Sequence, residues 1–193
     1  MKCYCSAALL GMFFLSSAAF AQNAYMGIGM GLASYSESYS ELDTDGYFDY
    51  SFDDSDTGFN IYGGLKFNEY FGFELSYTDF GKQNGSMSIY DYLYDVGGIY
   101  DASLEVSGFG VSVVGFFPLS DDLNLFLKAG TFAWDVDLSV GPYSGSDDDS
   151  DLLFGFGAEY RLNDQFSLRG AWEMVDVEGA DLDMLSVNAQ INF

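Results

Sequence analysis

Apolar and polar residues alternate with a period of two along most of this chain. The last eleven residues, 183–193, show it most plainly: Leu185, Val187, Ala189, Ile191 and Phe193 interleave with Ser186, Asn188, Gln190 and Asn192. Such a period puts the first set on one face of a β-strand and the second on the other. The same pattern predicts strands over residues 25–34, 57–67, 71–80, 102–117, 123–138 and 151–162, and another opening at Phe166. On these strands Met26, Ile28, Met30 and Leu32, then Phe59, Ile61 and Leu65, then Phe71, Phe73 and Leu75 share the apolar face. Phe109, Val111, Val113 and Phe117, Leu125 and Leu127, Phe154 and Phe156, and Phe166 and Leu168 continue it.

The connections alternate in length. Residues 68–70, 118–122 and 163–165 are short turns, whereas 35–56, 81–101 and 139–150 read as long loops. Strands of about ten residues, short turns on one side and long loops on the other are the pattern of a transmembrane barrel. The expected fold is all-β, a closed eight-stranded antiparallel up-and-down transmembrane β-barrel. Its turns and both termini would be periplasmic and its loops external.

The opposite face decides which solvent lies outside. It carries glycines, amides and single mid-strand charges: Lys66, Glu74, Lys128, Glu159, Arg169 and Glu173. A soluble ligand-binding barrel is the alternative, with apolar residues inside and polar ones out. That arrangement would place the charges on a glycine-rich outer wall. Lipid outside and a polar lumen inside fits better, and backbone pairing in lipid then requires the sheet to close. An eight-stranded interior is just wide enough to be filled by side chains, so its charges are expected to pair. Trp134 also falls on the inward set of its strand.

The N-terminus agrees with export. Lys2 precedes an apolar run over residues 7–20, and Ala19-Phe20-Ala21 reads as a cleavage site. Residues 1–21 are therefore expected to be a cleaved signal peptide and 22–193 the barrel domain. Cys3 and Cys5 lie in the expected leader, which leaves the barrel without thiol chemistry.

Composition then narrows the function. A formal net charge of −24 excludes nucleic-acid binding, because no basic patch exists to neutralise phosphates. The acid gathers in the expected loops, with Asp43 and Asp45 in the first and Asp147, Asp148 and Asp149 in the third. Glu41-x-Asp43-x-Asp45-Gly46 echoes a calcium loop, but Glu stands at its first position and Phe52 at its twelfth, and no helices flank it. No metal site is assigned. A solvated, repelling surface is the favoured reading, with loose divalent binding beside lipopolysaccharide phosphates as the alternative. The chain contains no histidine, which removes the usual general base, and no enzymatic activity or cofactor is expected.

Three runs carry a family resemblance: residues 71–82 (FGFELSYTDFGK), 117–134 (FPLSDDLNLFLKAGTFAW) and 157–173 (GAEYRLNDQFSLRGAWE). They resemble strands of the OmpA transmembrane domain and its outer-membrane β-barrel relatives, without the peptidoglycan-binding domain. The resemblance implies a Gram-negative outer membrane, contact with lipid and lipopolysaccharide, and an assembly machinery that reads the terminal Phe193 with Ile191. It also implies that Glu74, Glu159 and Arg169 take the family's lumen glutamate, glutamate and arginine positions. The family's strand-four lysine corresponds to Val114, so Lys66 or Lys128 would have to substitute. The expected role is structural or surface-interacting (adhesin-like), through acidic, tyrosine-rich external loops with a partner of unknown identity. A narrow gated pore for ions or small solutes is the alternative.

Overall fold

Eight strands pair in chain order and the eighth closes on the first, giving a barrel in which every neighbour is antiparallel. The computed structural model describes residues 23–43, 46–91, 96–140, 143–177 and 180–193. The strands are β1 (Ala24–Asp43), β2 (Gly46–Lys66), β3 (Phe71–Asp91), β4 (Val96–Pro118), β5 (Leu123–Val140), β6 (Tyr143–Arg161), β7 (Phe166–Val177) and β8 (Ala180–Asn192). The expected signal peptide lies outside the described residues.

Three turns join strands at one end by the same device. Asn68 Oδ1 accepts from the Tyr70 and Phe71 amides at 2.8 Å, and Asn163 Oδ1 accepts from those of Gln165 and Phe166 at 2.9 Å. Ser120 Oγ does likewise for the Leu123 amide at 3.1 Å. A short side chain that bonds its own backbone a few residues on favours a tight reversal.

The other end departs from expectation. The long loops 35–56, 81–101 and 139–150 are largely strand: β1 and β2 pair out to Asp43↔Gly46, β3 and β4 to Asp91↔Val96, and β5 and β6 to Val140↔Tyr143. Asp147, Asp148 and Asp149 therefore sit in β6 rather than in a loop, and Asp43 ends β1, while Asp45 lies outside the described residues. The physical reason is a reversal of content. In β5 the inward positions Phe132, Trp134, Val136, Leu138 and Val140 are apolar and the outward Asp135, Asp137 and Ser139 are polar. In β4 Ala102, Leu104 and Val106 point inward while Asp101 and Glu105 face out. The period of two continues, but its apolar face has changed sides.

That change draws a line around the barrel. The outward apolar series stops at Leu32, Phe59, Tyr77, Phe109, Ala133, Leu152, Met174 and Leu185. The next outward residues are Ser34, Thr57, Asp79, Ser107, Asp135, Ser150, Asp176 and Asp183. Registers set several of these side by side, as in Asp79↔Ser107, Ser107↔Asp135 and Ser34↔Asp183. At the turn end the band closes on exposed aromatics, among them Phe67, Tyr70, Phe71, Phe117, Phe166 and Phe193. Phe109 to Phe117 spans nine residues of β4. At a rise of roughly 3.3 Å and a tilt of about 40°, such a stretch covers roughly 23 Å, the height of the apolar band of membrane barrels. An outward face this apolar belongs in lipid and excludes the soluble barrel.

A bulge marks the same line on β3. Pairing with β4 shifts between Asp79 and Lys82, and Gly81 takes φ 77°, where a side chain is strained. Asp79 Oδ1 accepts from the Gly81 amide and Asp56 Oδ2 from the Lys82 amide, at 2.8 and 2.9 Å.

Candidate functional site

The lumen is packed rather than open. Near the turn end, Gly27 faces Tyr62 and Gly64 faces Tyr25 in register across β1 and β2. Either glycine given a Cβ would run into the facing ring, so the absence of a side chain makes room for both tyrosines. Their rings pack with Val114, Phe116, Phe126 and Ala171 in a lower apolar layer.

The charges expected inside are there, in two groups. Arg169 on β7 reaches across the lumen to Glu74 on β3, with Nη1–Oε2 at 2.6 Å and Nη2–Oε1 at 3.4 Å. This two-pronged pairing is the strong form of a guanidinium–carboxylate contact. Lys128 on β5 bridges Glu74 Oε1, at 3.3 Å, to Glu173 Oε1. The Tyr25 hydroxyl donates to Glu74 Oε2 at 3.0 Å. The guanidinium lies over the rings of Phe126 and Tyr62, 3.8 and 4.5 Å from their centres. Lys66 and Glu159 form a separate pair at 3.4 Å, nearer the turn end, with Lys66 Nζ over the Phe116 ring. In these two groups three acids meet three bases, so they carry no net charge between them.

Glu159 is the register partner of Arg169. Arg169 nevertheless bonds Glu74, and Glu159 Oε2 makes no hydrogen bond to another described group.

Above the charges lies a polar belt that includes Asn60, Ser76, Ser112, Ser186 and Asn188. Asn188 Nδ2 donates to the Arg169 carbonyl and to Ser186 Oγ, both at 3.1 Å. Above the belt the lumen becomes apolar, which corrects the expected polar interior. Ala33, Phe80, Leu104, Val106, Phe132, Trp134, Leu153, Val175, Leu182 and Met184 form one buried cluster. The Phe80 and Phe132 rings meet edge to face at 5.8 Å, and Trp134 Nε1 donates to Asp151 Oδ2 at 3.0 Å. Sequence reasoning placed only Trp134 here. The alternation in the upper half of β5 was the signal that would have found the rest.

Among the described residues, the wall that continues past the line is not closed. β6 pairs with β7 only from Leu153↔Val175 downward, and β1 with β8 only up to Tyr35↔Leu182. Because β7 and β8 are short, the wall has a gap above them. Among the described residues no group of three His, Cys, Asp or Glu is placed to hold a metal ion.

The sequence profile of the outer membrane protein beta-barrel domain matches residues 5–193. The chain belongs to that family. Outer membrane protein A of Escherichia coli O157:H7 is 24% identical over 114 residues, 58% of this chain and 30% of that protein. The chain therefore spans about three tenths of the length of that relative. Neisserial surface protein A superposes with a TM-score of 0.59 at 15% identity, over 88% of this chain and 97% of that one. Ail, the attachment invasion locus protein of Yersinia pestis, was solved with the heparin analogue sucrose octasulfate. It gives a TM-score of 0.54 at 15% identity, over 89% of this chain and 99% of that one. At such identities the structures speak for the fold alone. This member of the outer-membrane β-barrel family thus carries a filled interior beneath an extended acidic wall.

Proposed function

We propose that this outer-membrane β-barrel is a non-conducting, non-enzymatic anchor whose extended wall meets partners outside the cell. In this reading the three tight turns and both termini face the periplasm, and Phe193 with Ile191 serve the assembly machinery. The lipid-facing band contacts lipid and lipopolysaccharide. One observation carries the proposal: the lumen is filled at two levels, by paired charges and by the Phe80–Phe132–Trp134 cluster, while the strands run on beyond lipid. Material invested beyond the membrane, above a filled barrel, supports surface interaction over transport. The lack of histidine supports the absence of hydrolytic activity.

Charge selects the partner. Ail's structure holds a sulfated ligand, but here Lys82 is the only basic residue on the wall side of the line. Thirty acidic residues against six basic ones in the whole chain favour cationic surfaces over sulfated ones. Cells displaying the protein should bind polylysine-coated beads and ignore heparin-coated beads, and the reconstituted barrel should be silent in planar bilayers. Stable current steps, or preference for heparin, would overturn the proposal.

A narrow gated pore is the second reading, favoured by Glu159 lying opposite Arg169 with Oε2 unbonded. A change of partner by Arg169 would then open the lower layer. That reading expects current from Arg169→Ala alone. The anchor reading expects silence, because the upper apolar cluster remains.

A further inference from the structure

We infer that the open edge of β6 from Tyr143 to Leu152 accepts a basic, extended segment of a partner protein as an added strand. This rests on the surface-interaction reading and names its site and partner chemistry.

The edge follows from the register. β6 pairs with β5 along its whole length, up to Tyr143↔Val140. On its other side, pairing with β7 begins only at Leu153. Among the described residues, the ten residues 143–152 therefore have a strand on one side only. Every second residue of such a strand turns its N–H and C=O to the open side, which is a template for another strand. These groups face water, since residues 143–150 are all exposed and lie beyond the outward apolar band. Two of the open-side amides, those of Asp148 and Ser150, donate to the exposed carboxylates of Asp147 and Asp149 at 3.0 and 2.8 Å, contacts that the carbonyls of an added strand would replace. The edge is also held in place from below. Asp151 is anchored by the Trp134 indole, and Leu153 is buried in the upper apolar cluster. A pre-formed strand loses little freedom when a second one docks on it.

The side chains choose the occupant. Asp147, Asp148 and Asp149 are consecutive, so acid projects from both faces of the edge. Two copies meeting edge to edge would set carboxylate against carboxylate, which is destabilising in directly opposed pairs. The acids thereby guard against self-association. A strand bearing lysine or arginine meets the same positions with opposite charge on either face, whichever way it runs. The expected mode is strand addition, with backbone hydrogen bonds giving the hold and charge giving the choice.

The test uses the full-length barrel in nanodiscs and three ten-residue probes: alternating lysine–threonine, its fully N-methylated form, and alternating glutamate–threonine. The lysine peptide is expected to bind and to slow amide hydrogen exchange at alternate residues within 143–152. Its N-methylated form keeps the charge but has no amide donors, and should bind at least about tenfold more weakly, as should the glutamate peptide. Asp147→Asn, Asp148→Asn and Asp149→Asn combined should weaken the lysine peptide similarly, without altering heat-dependent gel mobility. Equal binding of the N-methylated probe, or binding without exchange protection in β6, would overturn strand addition. If polylysine beads still adhere to displaying cells in that case, the anchor reading stands and only the edge assignment falls. Loss of bead adhesion would remove both.

Discussion

Below the line from Ser34 through Thr57, Asp79, Ser107 and Asp135 this barrel is apolar outside and carries its charges inside; above it the arrangement is reversed. The strands do not change to achieve this. β4 runs unbroken from Val96 to Pro118 and holds its register with β5 from Ala102 to Pro118. Only the residues on its two faces exchange character, between Ser107 and Phe109. In lipid the outer face must be apolar, and the lumen can be filled by paired charges because solvation by lipid already holds the wall. In water the outer face must be polar, so the only place left for apolar surface is the interior. One sheet thus serves two solvents, and the lower and upper halves are stabilised by different forces.

The comparison breaks most readily at Arg169. Its guanidinium is the two-pronged partner of Glu74 in a site where both side chains are 1% exposed. Arg169→Ala should cost roughly 3–5 kcal/mol, since it leaves part of a buried carboxylate's charge uncompensated. Equilibrium urea unfolding in lipid would read this, and adding Glu74→Gln should recover much of it. A loss below about 1 kcal/mol would mean the lower half does not depend on its charge network.

A second contrast sets two phenylalanines against each other. Phe132 packs in the upper interior on Phe80, whereas Phe109 is 55% exposed on the outer face and looks into lipid. Phe132→Ala should cost about 3–5 kcal/mol, because the protein around it cannot fully collapse into the space. Phe109→Ala should cost only the transfer of the ring, roughly 1.5–3 kcal/mol, since lipid flows in. Equal losses in the same unfolding assay would show that the upper half has no packed core of its own.

How far the residues alone revealed this follows the same division. Within lipid, a single rule sufficed. The apolar stripe kept one phase, so the strand faces, the three tight turns and the inward positions of Glu74, Lys128, Glu159, Arg169 and Glu173 were all legible. What was not legible was which charges meet. Arg169 and Glu159 are neighbours in register, yet Arg169 crosses the lumen to Glu74, a distance that only barrel closure defines. Beyond lipid the rule inverted. Leu104, Val106, Val136 and Leu138 fell on what had been the polar face, so the stretches 102–117 and 123–138 were legible as strands but the exchange of their faces was not. Past them the acidic stretches 81–101 and 139–150 resembled loops. Of the inward aromatics Phe80, Phe132 and Trp134, the alternation placed only Trp134 inside, and it sits beside Asp135, the first acid on the outward face of β5.

The smallest expected effect sharpens the comparison from the other side. Lys82 and Glu105 form an ion pair at 3.0 Å, as short as many in the lumen, but their side chains are 51% and 55% exposed. Glu105 also stands in register with Asp137 on its other side, so Lys82 on β3 offsets part of a like-charge contact on the outer wall. Water and salt screen such a pair, and exposed pairs typically contribute below about 1 kcal/mol. Lys82→Ala should therefore shift the unfolding midpoint slightly at low salt and not measurably near 1 M salt, where screening acts within about 3 Å. The same change of salt should leave the cost of Arg169→Ala nearly intact, because ions do not enter the filled lumen. If Lys82→Ala instead cost as much as Arg169→Ala and resisted salt, the wall at Glu105 would be as dry as the interior. The inversion of faces at Ser107 would then not be a boundary between lipid and water.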